Sequence, residues 1–138
     1  MKNIIKIGVI LFLFLINKNF AQMCMVANKS FGEVKLTKEE AINIVLMRKT
    51  EIKNQKIKLV DIKGKNEKQE EFFKKLGYEL TEIRKVWMKN VLTGKADSPI
   101  QVTTFEEMKA KIIEIPNAIG YLPKKLCDQN VIILYETE

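Results

Sequence analysis

The chain has 138 residues, with 24 Lys or Arg against 17 Asp or Glu, two cysteines and no histidine. Without imidazole as base or ligand, Ser-His-Asp and Cys-His nucleophilic catalysis and most zinc centres are excluded. The net charge of +7 is spread over alternating lysines and glutamates, with arginine only at Arg48 and Arg84, which describes solvated faces and not a nucleic-acid-binding patch.

Lys2 and Lys6 form a basic start, and residues 7–16 are apolar except for Gly8. Asn17, Lys18 and Asn19 end the run. It is about half the roughly twenty residues needed to cross hydrocarbon. That length suits the apolar region of a secretory signal peptide better than a membrane span. Ala21 is the small residue that a signal peptidase needs, so cleavage is expected after it. Residues 1–21 then form the signal peptide and residues 22–138 one domain, periplasmic or secreted, with no stable membrane insertion after cleavage. Met23 directly before Cys24 is too large for a lipid-attachment box. The leader carries Lys2, Lys6 and Lys18 and no acid, so its removal takes the net charge from +7 to +4. Cys24 and Cys127 both survive it and are candidates for one disulfide closing nearly the whole domain, although two thiols in a sequence do not establish the geometry.

Met25 to Ala27 begin the first strand, which ends in Asn28, Lys29 and Ser30. Residues 31–35 form a loop containing Gly32. Thr37 and Glu40 have the spacing of a capping box, with Leu36 placed to staple onto Ala41. Ala41, Ile44 and Val45 continue with helical spacing to about Met47. Residues 48–56 read as a polar loop. Ile57, Leu59 and Val60 mark a second strand ending at Ile62. Asn66 then caps a helix whose third residue, Gln69, reaches back. Phe72, Phe73 and Leu76 form its buried face, and Gly77 is its left-handed stop.

Thr81 is the expected cap of a further helix, with Ile83, Val86, Trp87 and Val91 on one side and Gly94 past its end. Residues 101–103 read as a short extended piece. Thr104 and Glu107 make another capping box. Phe105, Met108, Ile112 and Ile113 carry the apolar stripe of the helix that Pro116 ends. Residues 118–122 and 131–135 are near-continuous apolar strands, the pattern of a sheet covered on both faces. Strands alternating with helices indicate an α/β layered fold with crossover connections. The aromatic residues, Trp87 included, read as core.

The segments MVANKS, LTKEEAINIVLMRK, EFFKKLGYELTEIRKVWMKNVLTGKADSP and IPNAIGYLP, in that order, resemble one lobe of the phosphate-type periplasmic solute-binding proteins. The resemblance runs from Met25 to about Leu122. It is most specific at Trp87, Thr93-Gly94 and Ala118-Ile119-Gly120-Tyr121. It implies a single periplasmic-binding-protein-like lobe: α/β, a mixed sheet with helices on both faces, and a role in transport of a solute. Two family glycines are replaced. Asn117 can keep its turn, because Asn visits the left-handed region readily, whereas Met47 is expected to alter its own.

The family's anion-binding Arg falls on Asp61, and its Ser-Gly-Thr on Lys65, Asn66 and Glu67. No Arg, Ser or Thr occurs between Asp61 and Gln69, so tight phosphate binding is not expected. The candidate ligand residues are Asn28 and Ser30, expected to line the former cleft, with Lys63, Lys65 and Asn66. The backbone N–H groups of Glu67 to Gln69 add a generic anion site at a helix start. Ordinary capping and turn chemistry accounts for the same residues. Two readings stay open. One is an exported solute-binding module holding a small anion weakly. The other is a non-catalytic envelope module whose exposed lobe face pairs with a second copy or another envelope protein. No pair of side chains is marked as catalytic, and no cofactor, metal or nucleic acid is expected.

Overall fold

The computed structural model describes residues 22–138. The expected signal peptide and its cleavage after Ala21 concern residues 1–21 and lie outside the described residues. In chain order the elements are β1 (Met23–Ala27), α1 (Lys38–Val45), β2 (Glu51–Ile52), β3 (Gln55–Lys56), β4 (Lys58–Ile62), α2 (Glu67–Lys75), α3 (Leu80–Leu92), β5 (Ile100–Val102), α4 (Phe105–Glu114), β6 (Ala118–Pro123) and β7 (Ile132–Glu136). Short 3-10 turns follow β1 at Lys29–Phe31 and β6 at Lys124–Leu126.

The main sheet has the order β5-β4-β6-β1-β7. β4 runs parallel to β5 and to β6. β1 lies antiparallel between β6 and β7. This is the α/β fold with crossovers that the alternation of strand and helix patterns leads one to expect, and its sheet is mixed, as the family resemblance implies. Parallel neighbours require crossovers, supplied by α2 and α3 between β4 and β5 and by α4 between β5 and β6. Every residue of β1 and β6 is buried, which is why both read as continuous apolar runs. Phe72 stacks on Tyr121 at 5.1 Å between ring centres, and Phe73 meets Trp87 edge-on at 6.1 Å. Trp87 is core, as its spacing implies, and its Nε1 donates to the Val45 carbonyl at 2.6 Å.

Four local expectations need correction. The polar loop 48–56 contains a hairpin, with Glu51 opposite Lys56 and Ile52 opposite Gln55. Its turn residues Lys53 and Asn54 both have positive φ, 50° and 63°, the conformation of a two-residue type I′ turn. Lys is an unusual residue there; its ammonium group donates to the Phe31 and Glu33 carbonyls at 3.0 and 3.2 Å, which ties the hairpin down.

The helix α3 starts at Leu80 with Glu79 as its cap, not at Thr81. Leu80 is buried and Thr81 exposed, so core packing pulls the cap and first turn two residues earlier. At α4, Thr104 Oγ1 accepts from the Glu107 N–H as expected. The Glu107 carboxylate, however, turns to the Thr103 N–H and hydroxyl at 2.8 and 2.7 Å. Those bonds hold its carboxyl below the usual carboxylate range. Finally, Met47 does not alter its turn. It keeps a φ of 58°, fixed by its N–H to the Ile44 carbonyl and by the Arg48 and Lys49 N–H groups to Asn43. The conformation costs a non-glycine residue roughly 1–2 kcal/mol. Asn117 has a φ of 66°, as its tolerance of that region implies.

Candidate functional site

β4 carries its chain out of the sheet through Lys63 and Gly64 into α2. In open α/β sheets this carboxyl end of the parallel strands is where ligands sit. Here Asn66 caps the helix: its Oδ1 accepts from the Lys68 and Gln69 N–H groups at 2.9 and 3.3 Å. The Gln69 Oε1 in turn accepts from the Asn66 N–H at 3.0 Å. The capping box read from the sequence therefore exists. It also occupies two of the three N–H groups expected to offer a generic anion site.

Beneath the cap lies Asp61, 3% exposed. Its Oδ1 accepts from the Tyr121 hydroxyl at 2.5 Å and from Gln69 Nε2 at 3.1 Å. Its Oδ2 faces the Arg84 guanidinium at 3.4 Å. Arg84 also donates to the Ile62 and Gly64 carbonyls, and Gln69 donates to Ile62. Burial, and then the Asp61 charge, push the Tyr121 hydroxyl well above the usual phenol range, so Tyr121 serves as a donor. The repulsive charge that the sequence places at the anion site is thus matched from within. The carboxylate of the chain itself sits among a guanidinium, a phenol and an amide. Lys63 and Lys65 stay exposed above this cluster.

Asn28 and Ser30 lie elsewhere. Ala27 pairs with Ile119, and Ile119 pairs with Leu59. The carboxyl end of β1 is therefore level with the start of β4. Asn28 and Ser30 are separated from Lys63 by the length of that strand, about 16 Å at the usual rise per residue. They do not share one cleft with Lys63, Lys65 and Asn66. The antiparallel direction of β1 decides this. Asn28 Nδ2 donates to the Ile112 and Ile113 carbonyls at 2.8 and 3.1 Å, closing the end of α4. Ser30 Oγ accepts from the Asn117 N–H at 2.9 Å and donates to its side chain at 3.1 Å. Both hold the left-handed Asn117 turn.

At this same starting end of β4 an open hollow of about 250 Å³ lies between α1, the β2–β3 hairpin and the segment before β5. Ile44, Met47, Ile57, Leu59 and Ile100 contribute its apolar lining, and Lys49, Lys56, Lys58 and Lys95 its cationic one. Lys56 pairs with Asp97 across it at 2.8 Å. This pairing raises the Lys56 ammonium above its ordinary value and lowers the Asp97 carboxyl. Lys56 and Lys58 are neighbours in sequence, but Lys49 and Lys95 reach the hollow from other segments, so the full set is assembled only by the fold. Arg84 and Tyr121, and the bond of Gln69 to Asp61, are likewise not readable from their own segments, although a lone Asp among the apolar residues of segment 57–62 signals a buried partner.

Cys24 and Cys127 stand as free thiols. Among the described residues there is no cluster of three or more His, Cys, Asp or Glu able to hold a metal ion. No described helix is long and apolar enough to cross a membrane.

No family model matches the sequence, and no curated protein does. Solved structures do share the fold. A phosphate ABC transporter substrate-binding protein from Clostridium perfringens, solved with bound phosphate, superposes with a TM-score of 0.67 at 16% identity. An ABC-type phosphate transport receptor from Vibrio cholerae superposes with a TM-score of 0.65 at 18% identity. Each match covers 81% of this chain but only 43% and 45% of the respective neighbour. The chain thus spans less than half of those proteins, the extent of a single lobe of the periplasmic-binding-protein fold.

Proposed function

We propose that the chain is a non-catalytic, exported module of the solute-binding fold that holds small anions weakly at the end of β4, through Lys63 and Lys65. The observation that carries this reading is the self-capped start of α2. With the Lys68 and Gln69 N–H groups taken by Asn66, an arriving anion meets mainly flexible ammonium groups instead of a preformed cradle. Asp61 is compensated internally, so its repulsion is reduced. The phosphate-binding neighbours support the choice of ligand class. The export part of the reading rests on the pattern of residues 1–21.

Titration of the full chain with phosphate and sulfate, followed by amide NMR, tests the site. Shifts at residues 63–68 with a dissociation constant on the order of 1 mM or weaker are expected, and Lys63→Ala with Lys65→Ala should remove them. Unperturbed amides at 100 mM of either anion would sink this reading. N-terminal sequencing of the exported protein checks cleavage, which should leave Gln22 first.

One observation favours the interaction-module alternative. Met88 and Leu92, one turn apart on α3, are 64% and 79% exposed, an apolar pair of the kind that docks on a second surface. Sedimentation decides it: a dimer that Met88→Glu with Leu92→Glu dissociates would support self-association through α3.

A further inference from the structure

The two cysteines, 103 positions apart in sequence, lie at the same end of the sheet. Cys24 lies on β1, opposite Leu122 of β6 on one side and Glu136 of β7 on the other. The 3-10 turn Lys124–Leu126 then folds the chain leaving β6 back over this end of the sheet. The Cys127 N–H closes that turn on Lys124, and its Sγ lies 3.6 Å from the Pro123 carbonyl. Pro123 lies opposite Met23, the residue before Cys24, so the Cys127 side chain sits over the same end of the sheet as Cys24.

The two thiols are inequivalent. Cys24 is fully buried. Cys127 is half-buried and lines an open surface hollow with Val131, Ile132 and Ile133.

We propose that Cys24 and Cys127 form an intramolecular disulfide by exchange with a low-molecular-weight disulfide, with Cys127 as the entry thiol and Cys24 as the resolving one. The Cys127 thiolate attacks one sulfur of the reagent and expels the first small thiolate. A mixed disulfide on Cys127 results. Cys24 then loses its proton, and its sulfur attacks the Cys127 sulfur and expels the second small thiolate. Two protein thiols are oxidised, and one small disulfide is reduced to two small thiols. The inequivalence of the two thiols favours this order. The neighbouring Cys24 lowers the Cys127 thiol below its usual value, and Cys127 together with burial raises that of Cys24. The bond ties β1, the antiparallel strand in the sheet, to the connection between its neighbours β6 and β7. It closes a loop of about a hundred residues, among the larger entropic restraints on an unfolded chain.

Oxidised glutathione applied to the full chain, with mass spectrometry after alkylation of remaining thiols, tests the assignment. The wild-type chain should lose two hydrogens, resist alkylation at both cysteines and stay monomeric on a non-reducing gel. Its unfolding midpoint should rise by on the order of 10 °C over the reduced form. Cys24→Ser should accumulate one glutathione on Cys127, and Cys127→Ser should react at least about tenfold more slowly. Two alkylatable thiols after oxidation, disulfide-linked dimers, or equal rates in the two variants would overturn it.

Discussion

The two ends of β4 are built on opposite principles. At its carboxyl end, polar groups are saturated by one another: Asp61 with Tyr121, Gln69 and Arg84, and Asn66 with the first turn of α2. At its start, Asn28 and Ser30 are equally engaged, but with backbone that they hold in place. Beside them a hollow mixes isoleucines with lysines and leaves most of its cations facing water. A ligand-type position in a fold thus need not be empty of chemistry to be closed to a ligand. A carboxylate of the chain, placed among the donors that could receive an anion, satisfies them first. Buried donors need an acceptor whoever supplies it, since an unpaired buried polar group costs about 1–3 kcal/mol.

Removing that internal acceptor should have the largest effect. Asp61→Ala leaves Arg84, Tyr121 and Gln69 without their shared partner and should cost about 3 kcal/mol in urea unfolding. Phosphate should restore part of the loss in this variant, because binding to the folded state alone adds stability. A loss with no recovery in 100 mM phosphate would break the idea that Asp61 occupies an anion's place. At the other end, Asn28→Ala removes both bonds to the end of α4 and should cost about 1–2 kcal/mol by the same assay. Phosphate should give it no special recovery.

Asn66→Gly should cost only a few tenths of a kcal/mol, because glycine is a tolerable cap. It frees the Lys68 and Gln69 N–H groups and should tighten phosphate binding severalfold by NMR titration, which sharpens the claim that self-capping keeps binding weak. The smallest effect belongs to the hollow. Lys56 holds the Asp97 carboxyl below its ordinary value. Its contribution is present above the unfolded value near 4 and is lost as pH falls through the lower folded one. Both side chains are exposed, 61% and 81%, so screening should leave stability unmoved. The check is the carboxyl titration by NMR, whose midpoint should rise toward the ordinary range in Lys56→Met.

Much of the fold was legible because it is local. Thr37, Asn66 and Thr104 announce helix starts through bonds that span three residues. The continuous apolar runs of β1 and β6 report burial on both faces. The hairpin leaves no local signal, because Lys53-Asn54 lacks the glycine of the common turn and is held by carbonyls about twenty residues away. Helix α3 starts two residues before the position its Thr81 cap suggests, because Leu80 answers to the core and not to the nearest capping side chain. At the site, Asn66 was read in its correct local role, whereas the partners of Asp61 come from positions 69, 84 and 121 and leave no local trace.

The sequence by itself determined the kinds of elements, their order and the shortage of anion-binding side chains between Asp61 and Gln69, because these depend on periodicity, caps and residue chemistry within a few positions. Only the tertiary structure decided that β1 runs against its neighbours, which sends Asn28 and Ser30 to the end of the sheet away from Lys63, Lys65 and Asn66. It also decided that Asp61 is matched internally and that two cysteines far apart in sequence come to one end of the sheet. Strand direction and register are settled by long-range pairing, where a side chain's neighbours are chosen by the sheet and not by its place in the chain.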